Sequence, residues 1–307
     1  MKKAVAFLDV LGFSNHVYED LGKAEKIVKD INELIAVKVS GDIDEHKIIH
    51  KNSDDEKNLY KELKDKYTFE AVDFILPVSD SIFLVGNDLQ GMVLQISNFL
   101  CRILESTLSN SFSASGRFPI IMRGGMSYGE IDIINSFIYH KNCKQYELGD
   151  SFNMIGKPVV EAVKLGDLHD NGPKLFLTND AVKKLDEDEK KFVSNEDDKK
   201  YFLWPKLFFM EKSLHRDFTS EFKLRCNYDL KPIIELYCEY KNEKKLVSYY
   251  ESLVCMTIEA FSKIYLIFPA NQQEKNKQIA KNQLKKTIMD AELTECEQKK
   301  FLNSICY

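Results

Sequence analysis

Hydrophobic and polar positions follow one another along the chain in blocks that predict its elements. Residues 4–10 form a short apolar run that includes Asp9 and is followed by Gly12, which predicts a buried strand with a polar exit. Within residues 17–37 apolar side chains recur at steps of three and four, which predicts an amphipathic helix. Residues 41–67 are mostly charged, so we interpret them as a solvated insertion that is partly helical.

A β-hairpin is predicted in residues 69–85, because two apolar stretches rich in β-branched and aromatic residues flank a turn at 77–80. Apolar periodicity in residues 93–104 then predicts a second helix. Residues 119–131 predict a strand that is interrupted by glycines, including a pair at 124–125. Such a pair often marks the close approach of another backbone or of a ligand.

A third helix is predicted from residue 156 to about 165, and a further strand at 173–179. The resulting order is strand, helix, hairpin, helix, strand, helix, strand. This order is typical of a split βαβ, or ferredoxin-like, palm, so we predict an α+β fold.

The pattern changes after a charged stretch at 185–200, and residues 246–268 and 276–289 have helical periodicity. We therefore interpret the C-terminal third as a mainly helical extension. We place the boundary at Trp204-Pro205, which divides the chain into 1–205 and 206–307; Asn227 is the alternative boundary.

Composition and charge narrow the function classes. The chain has 307 residues, 44% of them hydrophobic, which is enough for a substantial core. Its net charge of −5 leaves no basic field to bind a nucleic-acid duplex. We expect no membrane span, because no apolar run reaches about 18 residues, and no signal peptide, because Asp9 comes too early.

The seven cysteines are odd in number and form no Cys-x-x-Cys pair, so we predict reduced thiols in a cytoplasmic protein. Zinc is not expected, because the six histidines do not cluster with the cysteines at ligand spacing.

Two acids and one arginine are the candidates for chemistry. Asp9 ends a strand before the Gly12 turn and a helix, where backbone amides can bind phosphate oxygens. Asp80 lies in the predicted hairpin turn, which neighbours the first strand in a palm. Two carboxylates at one edge suit two divalent ions and displacement at phosphorus. Taken singly, Asp9 and Asp80 are ordinary cap or turn residues and Arg123 a salt-bridge residue; in this order on a palm pattern they indicate a phosphate-processing site.

Four segments together resemble the class III nucleotidyl cyclases. Residues 9–14 (DVLGFS) are similar to the family's first metal-binding motif, and 79–80 (SD) to the hairpin turn that carries its second metal acid. Residues 123–129 (RGGMSYG) resemble its glycine-containing strand, and 156–165 (GKPVVEAVKL) part of the helix that follows. The resemblance covers about residues 3–185 and implies the class III cyclase homology fold.

The resemblance also implies a site. Asp9, Asp80 and the Val10 carbonyl would hold two Mn²⁺ or Mg²⁺ ions, and Lys164 would take the place of the family's transition-state arginine. The substrate-binding positions that the resemblance implies are Gly12, Phe13 and Ser14 for the triphosphate, together with Leu76, Arg123, Asn153 and Glu161. Two of these keep a structural alternative: Asn153 as a loop cap and Glu161 as a solvated helix acid.

The departures from the family pattern bear on the substrate. Leu76 and Asn153 occupy the two base-recognition positions, and they match neither the adenine nor the guanine pattern. Val160 stands where the family has its transition-state asparagine. The Ser-Asp-Ser hairpin and the helix segment at 156–165 are similar to the pyrimidine cyclases of Pycsar antiphage systems. This similarity implies UTP or CTP as substrate, and we favour UTP.

The family resemblance further implies a head-to-tail homodimer with active sites at the interface, and a cyclic nucleotide that activates a separate effector in antiphage defence. Two alternatives stay open. One is an inactive cyclase-homology sensor, which Leu76 and Val160 favour. The other is a purine (adenylate or guanylate) cyclase, against which Leu76 and Asn153 argue.

Overall fold

The computed structural model describes most of the chain in seven segments. They are residues 1–40, 71–108, 120–140, 145–168, 172–210, 217–244 and 246–305. The predicted insertion at 41–67 lies outside them.

The strands of these segments form two sheets. They are β1 (Lys2–Val10), β2 (Phe74–Val78), β3 (Ser81–Gly86), β4 (Met122–Glu130), β5 (Asp132–His140), β6 (Gln145–Ile155), β7 (Leu175–Leu177), β8 (Val193–Glu196) and β9 (Lys199–Phe202). The larger sheet has the order β2-β3-β1-β4-β7-β9-β8, and β5 pairs with β6 in a separate hairpin.

The helices cover both the predicted palm and the C-terminal region. They are α1 (Phe13–Glu19), α2 (Leu21–Ser40), α3 (Leu89–Leu108), α4 (Lys157–Gly166), α5 (Asn179–Val182), α6 (Glu187–Lys190), α7 (Leu207–Met210), α8 (Phe218–Arg225), α9 (Lys231–Tyr240), α10 (Val247–Lys263), α11 (Ala270–Met289) and α12 (Glu295–Asn303). Short 3₁₀ turns at Trp204–Lys206 and Ile264–Ile267 and a π-helical turn at Cys226–Leu230 join some of them.

The first four strands form the predicted palm. β1 lies between β3 and β4 and is antiparallel to both. The connection from β1 to β2 contains α1 and α2, the connection from β3 to β4 contains α3, and the strand order is β2-β3-β1-β4. This is the order of a ferredoxin-like palm, so the predicted α+β class is confirmed. β4 then pairs with β7 in parallel, and β9 and β8 extend the sheet.

The middle of the central strand β1, residues 4–8, is apolar because helices cover both of its faces. Successive side chains of a strand point to opposite faces. Ala4, Ala6 and Leu8 belong to the large core cluster that includes α3. Val5 and Phe7 pack with the opposite cluster, which includes α4. The predicted buried strand is thereby confirmed.

The glycines do not interrupt β4, which runs without a break, so that part of the strand prediction was wrong. A glycine is needed at position 125 because the strand packs closely against α4: a Cβ on Gly125 would lie 2.3 Å from the Ala162 carbonyl oxygen. The close approach is therefore that of another backbone, one of the two alternatives that the sequence left open.

Two hairpins were not predicted, β5–β6 and β8–β9. The second begins inside the charged stretch at 185–200 and turns at Asp197 and Asp198, whose φ angles are 46° and 65°. Acidic and lysine residues replace the apolar alternation typical of a strand there, because β8 is the exposed edge strand of the sheet.

The C-terminal helices share one core cluster with the palm. Trp204, at the predicted boundary, is buried, and its indole Nε1 donates to the Pro173 carbonyl at 2.7 Å. The division at residue 205 stays a prediction. None of the described helices has both the length and the apolar composition that a membrane crossing needs. The described cysteines are free thiols, as predicted: Cys101, Cys226, Cys238, Cys255 and Cys296.

Candidate active site

Asp9 lies near the end of β1 and is contacted by side chains of both neighbouring strands. The sheet register places it opposite Ser81 of β3 and opposite Arg123 of β4. The Ser81 hydroxyl donates to Asp9 Oδ1 at 2.9 Å, and Arg123 Nη2 lies 3.4 Å from Asp9 Oδ2. Both charged side chains of the ion pair are only 19% exposed. The carboxylate is therefore fixed in position yet still open to solvent on one side.

Asp80 lies in the tight turn that joins β2 to β3, directly before Ser81. Its neighbour Ser79 has a φ of 59°, in the left-handed region that a two-residue hairpin turn requires. Burial raises the pKa of Asp9, and the negative charge of Asp80 raises it further, whereas Ser81 and Arg123 act against the shift. The hairpin thus brings the two acids to one edge of the sheet, close enough for one charge to act on the other.

This pair of acids fits a divalent cation. Carboxylate oxygens are the ligands that Mg²⁺ prefers, and a cation between Asp9 and Asp80 would offset the repulsion that raises the pKa of Asp9. Among the described residues no group of three or more histidine, cysteine or acidic side chains has a metal-site arrangement. The protein would therefore supply two carboxylates, and backbone, substrate or water oxygens would supply the other ligands.

Arg123 connects this edge to the end of α4. Its Nη1 donates to the Leu168 carbonyl at 3.1 Å, and Nη2 lies 3.7 Å from Asp167. Its Nε atom is buried without a hydrogen-bond partner. The guanidinium is therefore committed to Asp9 on one side and to the segment after α4 on the other.

The turn after β1 has the predicted form. Gly12 has a φ of 77°, where a residue with a Cβ would be strained, and α1 begins at Phe13. The Phe13 side chain is buried in the core, and Ser14 is exposed. Only the backbone of Phe13 is therefore available to a ligand. The Val10 side chain is also buried, so its carbonyl is the group that could bind a metal.

Leu76 lies on β2, half-buried and opposite Phe83 of β3. It is three residues before the turn at Ser79 and Asp80, and so it is placed at the same end of the hairpin as the two acids.

The residues predicted on α4 point in two directions. Glu161 accepts a hydrogen bond from the buried Ser127 hydroxyl of β4 at 2.7 Å and lies 3.3 Å from Lys157. Its carboxylate is thus engaged by its own chain. Val160 and Lys164, one turn apart, are exposed on the outward face.

Asn153 lies on β6 opposite Ile134, at the other end of the palm. β4 runs from Arg123, beside Asp9, to Glu130, after which β5 begins. Seven residues at about 3.3 Å each separate these ends by about 23 Å. Within one chain, therefore, the structure does not bring Asn153 and Asp9 together.

Sequence reasoning assigned no role to two residues that touch the site. Ser81 belongs to the Ser-Asp-Ser segment, but its contact with Asp9 depends on the pairing of β3 with β1. Asp167 follows α4 and reaches Arg123 only because α4 packs across β4. No local signal marks either contact.

No protein-family model and no curated protein matches the chain. Among solved structures, the chain is similar to the crystal structure of the guanylyl cyclase Cya2, with a TM-score of 0.42 and 10% identity over 66% of this chain and 91% of the other. Structures of adenylate cyclases from Trypanosoma brucei in their monomeric state give TM-scores of 0.40 and 0.36, with 11% and 13% identity. They cover 66% and 63% of this chain and 86% and 80% of theirs. The fold assignment rests on the strand order and connections described above.

Proposed function

We propose that this chain is a nucleotidyl cyclase that converts a nucleoside triphosphate to its 3′,5′-cyclic monophosphate and pyrophosphate. The observation that carries the proposal is the meeting of Asp9 and Asp80 at one edge of a palm, next to the Gly12 turn. The motif resemblance of residues 9–14 and 79–80 supports the same activity.

The reaction is an internal displacement at phosphorus. The ribose 3′-oxygen bonds to the α-phosphorus while the bond from that phosphorus to the bridging oxygen of the β-phosphate breaks. The 3′-hydroxyl proton passes to solvent, and pyrophosphate leaves. Bound Mn²⁺ or Mg²⁺ would supply the Lewis acidity that activates the 3′-hydroxyl and stabilises the leaving group.

The residues of this chain hold and neutralise the reacting groups. Asp9 and Asp80, with the Val10 carbonyl, would hold the cations, while Ser81 fixes one oxygen of Asp9. The turn at Gly12, with the Phe13 and Ser14 amides, faces the triphosphate. Lys164 neutralises charge in the transition state, as a point charge without the fork of an arginine.

We propose a pyrimidine nucleotide as substrate, UTP ahead of CTP. The proposal rests on Leu76 and Asn153, which together match neither the adenine nor the guanine pattern of the purine cyclases. Asn153 has both a donor and an acceptor for a pyrimidine edge, and it is exposed. The similarity to Pycsar cyclases extends the proposal to a second messenger that activates a separate effector in antiphage defence.

A head-to-tail homodimer completes the proposed site. Asn153 lies on the β5–β6 hairpin, which follows the end of β4 that is about 23 Å, at about 3.3 Å per residue, from Arg123 beside Asp9, so a second copy would have to supply it. The protomer exposes large apolar side chains that such a dimer would cover. They are Ile134 and Ile155 of the β5–β6 hairpin, Val160 of α4, Val17 and Tyr18 of α1, and Leu21 at the start of α2.

The test is to incubate the purified protein separately with ATP, GTP, CTP and UTP in the presence of Mn²⁺ and to identify products by mass spectrometry. We expect cyclic UMP, and we expect Asp80→Asn to lose at least about a hundredfold of the rate, because electrostatic stabilisation of the reacting charges is lost. The matched control is Asp88→Asn, an exposed acid at the opposite end of β3, which keeps full activity.

Each other outcome has a defined meaning. A cyclic purine product would keep the cyclase and refute the pyrimidine proposal. No product from any nucleotide, with circular dichroism spectra unchanged, would favour the inactive sensor. Sedimentation of an active sample as a monomer would refute the dimer.

A further inference from the structure

The Arg123 guanidinium lies between two carboxylates and is in short contact with neither. Its Nη1 atom donates to the Leu168 carbonyl at 3.1 Å. Its Nη2 atom is 3.4 Å from Asp9 Oδ2 and 3.7 Å from Asp167 Oδ1. Hydrogen bonds between a cation and a carboxylate are usually about 2.7–2.9 Å long. The guanidinium is therefore anchored at Leu168 and shared between Asp9 and Asp167.

The position of the guanidinium beside Asp9 is not fixed by hydrogen bonds at every donor. The Nε atom of Arg123 is buried and has no hydrogen-bond partner among the described residues, which costs free energy. A small shift of Nη2 from Asp9 towards Asp167 would break no short hydrogen bond. It would also keep the bond to the carbonyl of Leu168, the neighbour of Asp167 in the chain.

Asp167 supplies the second acceptor at the C-terminal end of α4. It caps this helix, and its backbone N–H donates to the Val163 carbonyl at 2.8 Å. The C-terminal end of a helix carries a partial negative charge, which adds to the charge of the Asp167 carboxylate. The side chain of Asp167 is 74% exposed, so it is free to turn towards a guanidinium. This end of α4 can therefore hold Arg123 in place of Asp9.

A divalent cation at Asp9 and Asp80 would change the balance between the two carboxylates. Asp9 Oδ1 already accepts from the Ser81 hydroxyl at 2.9 Å, so the cation and Arg123 compete for Oδ2. Two positive charges at one carboxylate repel each other. A bound cation therefore disfavours Arg123 at Asp9 and favours it at Asp167.

We propose that Asp167 is a positioning residue of the candidate active site, which holds the Arg123 guanidinium when a divalent cation binds Asp9. Without Asp167, only Asp9 of these two acids would remain to pair with Nη2, and Arg123 would compete more strongly with the cation. This inference rests on the proposed function, which supplies the cation.

The test is isothermal titration calorimetry of Mn²⁺ alone with the full chain. It compares wild type, Asp167→Asn, Arg123→Gln and the double variant that carries both changes. Asp132→Asn is the matched control, because Asp132 is an exposed acid at the start of β5, beyond the other end of β4. Thermal melts without metal check the fold, and asparagine is well tolerated at the C-terminal end of a helix.

We expect Asp167→Asn to bind Mn²⁺ about two- to fivefold more weakly than wild type, which is the size of an exposed ion pair. We expect Asp132→Asn to bind as wild type does. Asp167→Glu should also keep the affinity of wild type, because it keeps the carboxylate. In the Arg123→Gln background, Asp167→Asn should have no effect, because no guanidinium remains to be held.

Three outcomes would overturn the proposal. In the first, Asp167→Asn binds Mn²⁺ as tightly as wild type. In the second, it weakens binding by the same factor with and without Arg123, which would mean that Asp167 attracts the cation directly. Both of these leave the proposed cyclase intact. In the third, Mn²⁺ does not bind wild type saturably, and the proposed cation site fails together with the role of Asp167.

Discussion

Two clusters in this protein each combine one arginine with acidic side chains, but in different surroundings. At the palm edge, Arg123 approaches Asp9 at 3.4 Å, with Asp80 beside them. In the C-terminal region, Arg225 lies 2.9 Å from Glu221 and 3.2 Å from Asp229. The edge pair is 19% exposed, and the side chains of the interior cluster are 3–6% exposed.

The two clusters differ in which charge state of their side chains is favoured. Although burial alone would lower the pKa of Arg225, the charges and hydrogen bonds of Asp229 and Glu221 raise it, so the cation is strongly held. At the edge, burial and Asp80 raise the pKa of Asp9, so its anion is disfavoured. The interior cluster is closed and structural, whereas at the edge Arg123 does not offset the burial of Asp9 and its repulsion by Asp80, so the edge can accept a further cation.

The largest effect is expected in the interior. Arg225→Met should lower the free energy of unfolding by about 3–5 kcal/mol, because it leaves two buried acids without their cation. Urea denaturation measures the loss. The control is Arg102→Met, which removes a surface pair with Glu105 and should cost less than about 1 kcal/mol. Equal losses in the two variants would contradict the distinction between closed and open clusters.

The second largest effect is expected to be the stabilisation of the fold by a metal ion bound at Asp9 and Asp80. Mn²⁺ at a hundred times its dissociation constant should raise the free energy of unfolding of wild type by about 2.7 kcal/mol. Asp9→Asn should abolish this gain, because a carboxamide is a far weaker ligand for the cation. Thermal melts with and without Mn²⁺ measure it, and Asp88→Asn should respond as wild type does. Stabilisation that survives in Asp9→Asn would place the metal elsewhere.

A smaller effect on stability is expected from Arg123→Gln. The pair with Asp9 is long and partly exposed, so its loss should cost only about 1 kcal/mol. The same variant should bind Mn²⁺ more tightly, since the guanidinium no longer competes for Asp9 Oδ2. Calorimetric titration of Mn²⁺ measures the change. Weaker binding would mean that Arg123 orients Asp9 for the metal instead of competing with it.

The smallest effect is a pH dependence. Because the pKa of Asp9 is raised above its ordinary value of 3.8, the folded state binds the proton more tightly than the unfolded state. The stability that protonated Asp9 contributes is therefore full below 3.8 and is lost as pH rises through the raised pKa. Unfolding free energies measured against pH without metal should show this fall in wild type but not in Asp9→Asn. The prediction is contradicted if the unfolding free energy of wild type rises with pH relative to that of Asp9→Asn.

Much of the palm was predictable, because its elements have strong local signals. The apolar run at 4–10 and the turn at 77–80 indicated the strand and hairpin that the structure contains. The pattern failed where polar residues occupy a strand, as in β8, because an exposed edge strand needs no apolar alternation on both faces. The hairpin β5–β6, from Asp132 to Ile155, was missed as well.

The interior cluster also has a local origin. Glu221, Arg225 and Asp229 follow one another at intervals of four, so a helix places them on one face. Their burial depends on the packing of α8 and the π-helical turn against α11. The sequence therefore indicates the ion pairs but not their strength.

What the sequence by itself determined is the chemistry available at each turn and strand end: Asp9 before a glycine that must adopt a positive φ, and Asp80 in a hairpin. Only the tertiary structure decided that Ser81 and Arg123 hold Asp9, that Ser127 engages Glu161, and that Asp167 reaches Arg123. The physical reason is that strand register and helix packing join residues far apart in the chain. Burial then shifts the pKa values of these residues. Neither the long-range contacts nor the burial is marked by a local pattern in the sequence.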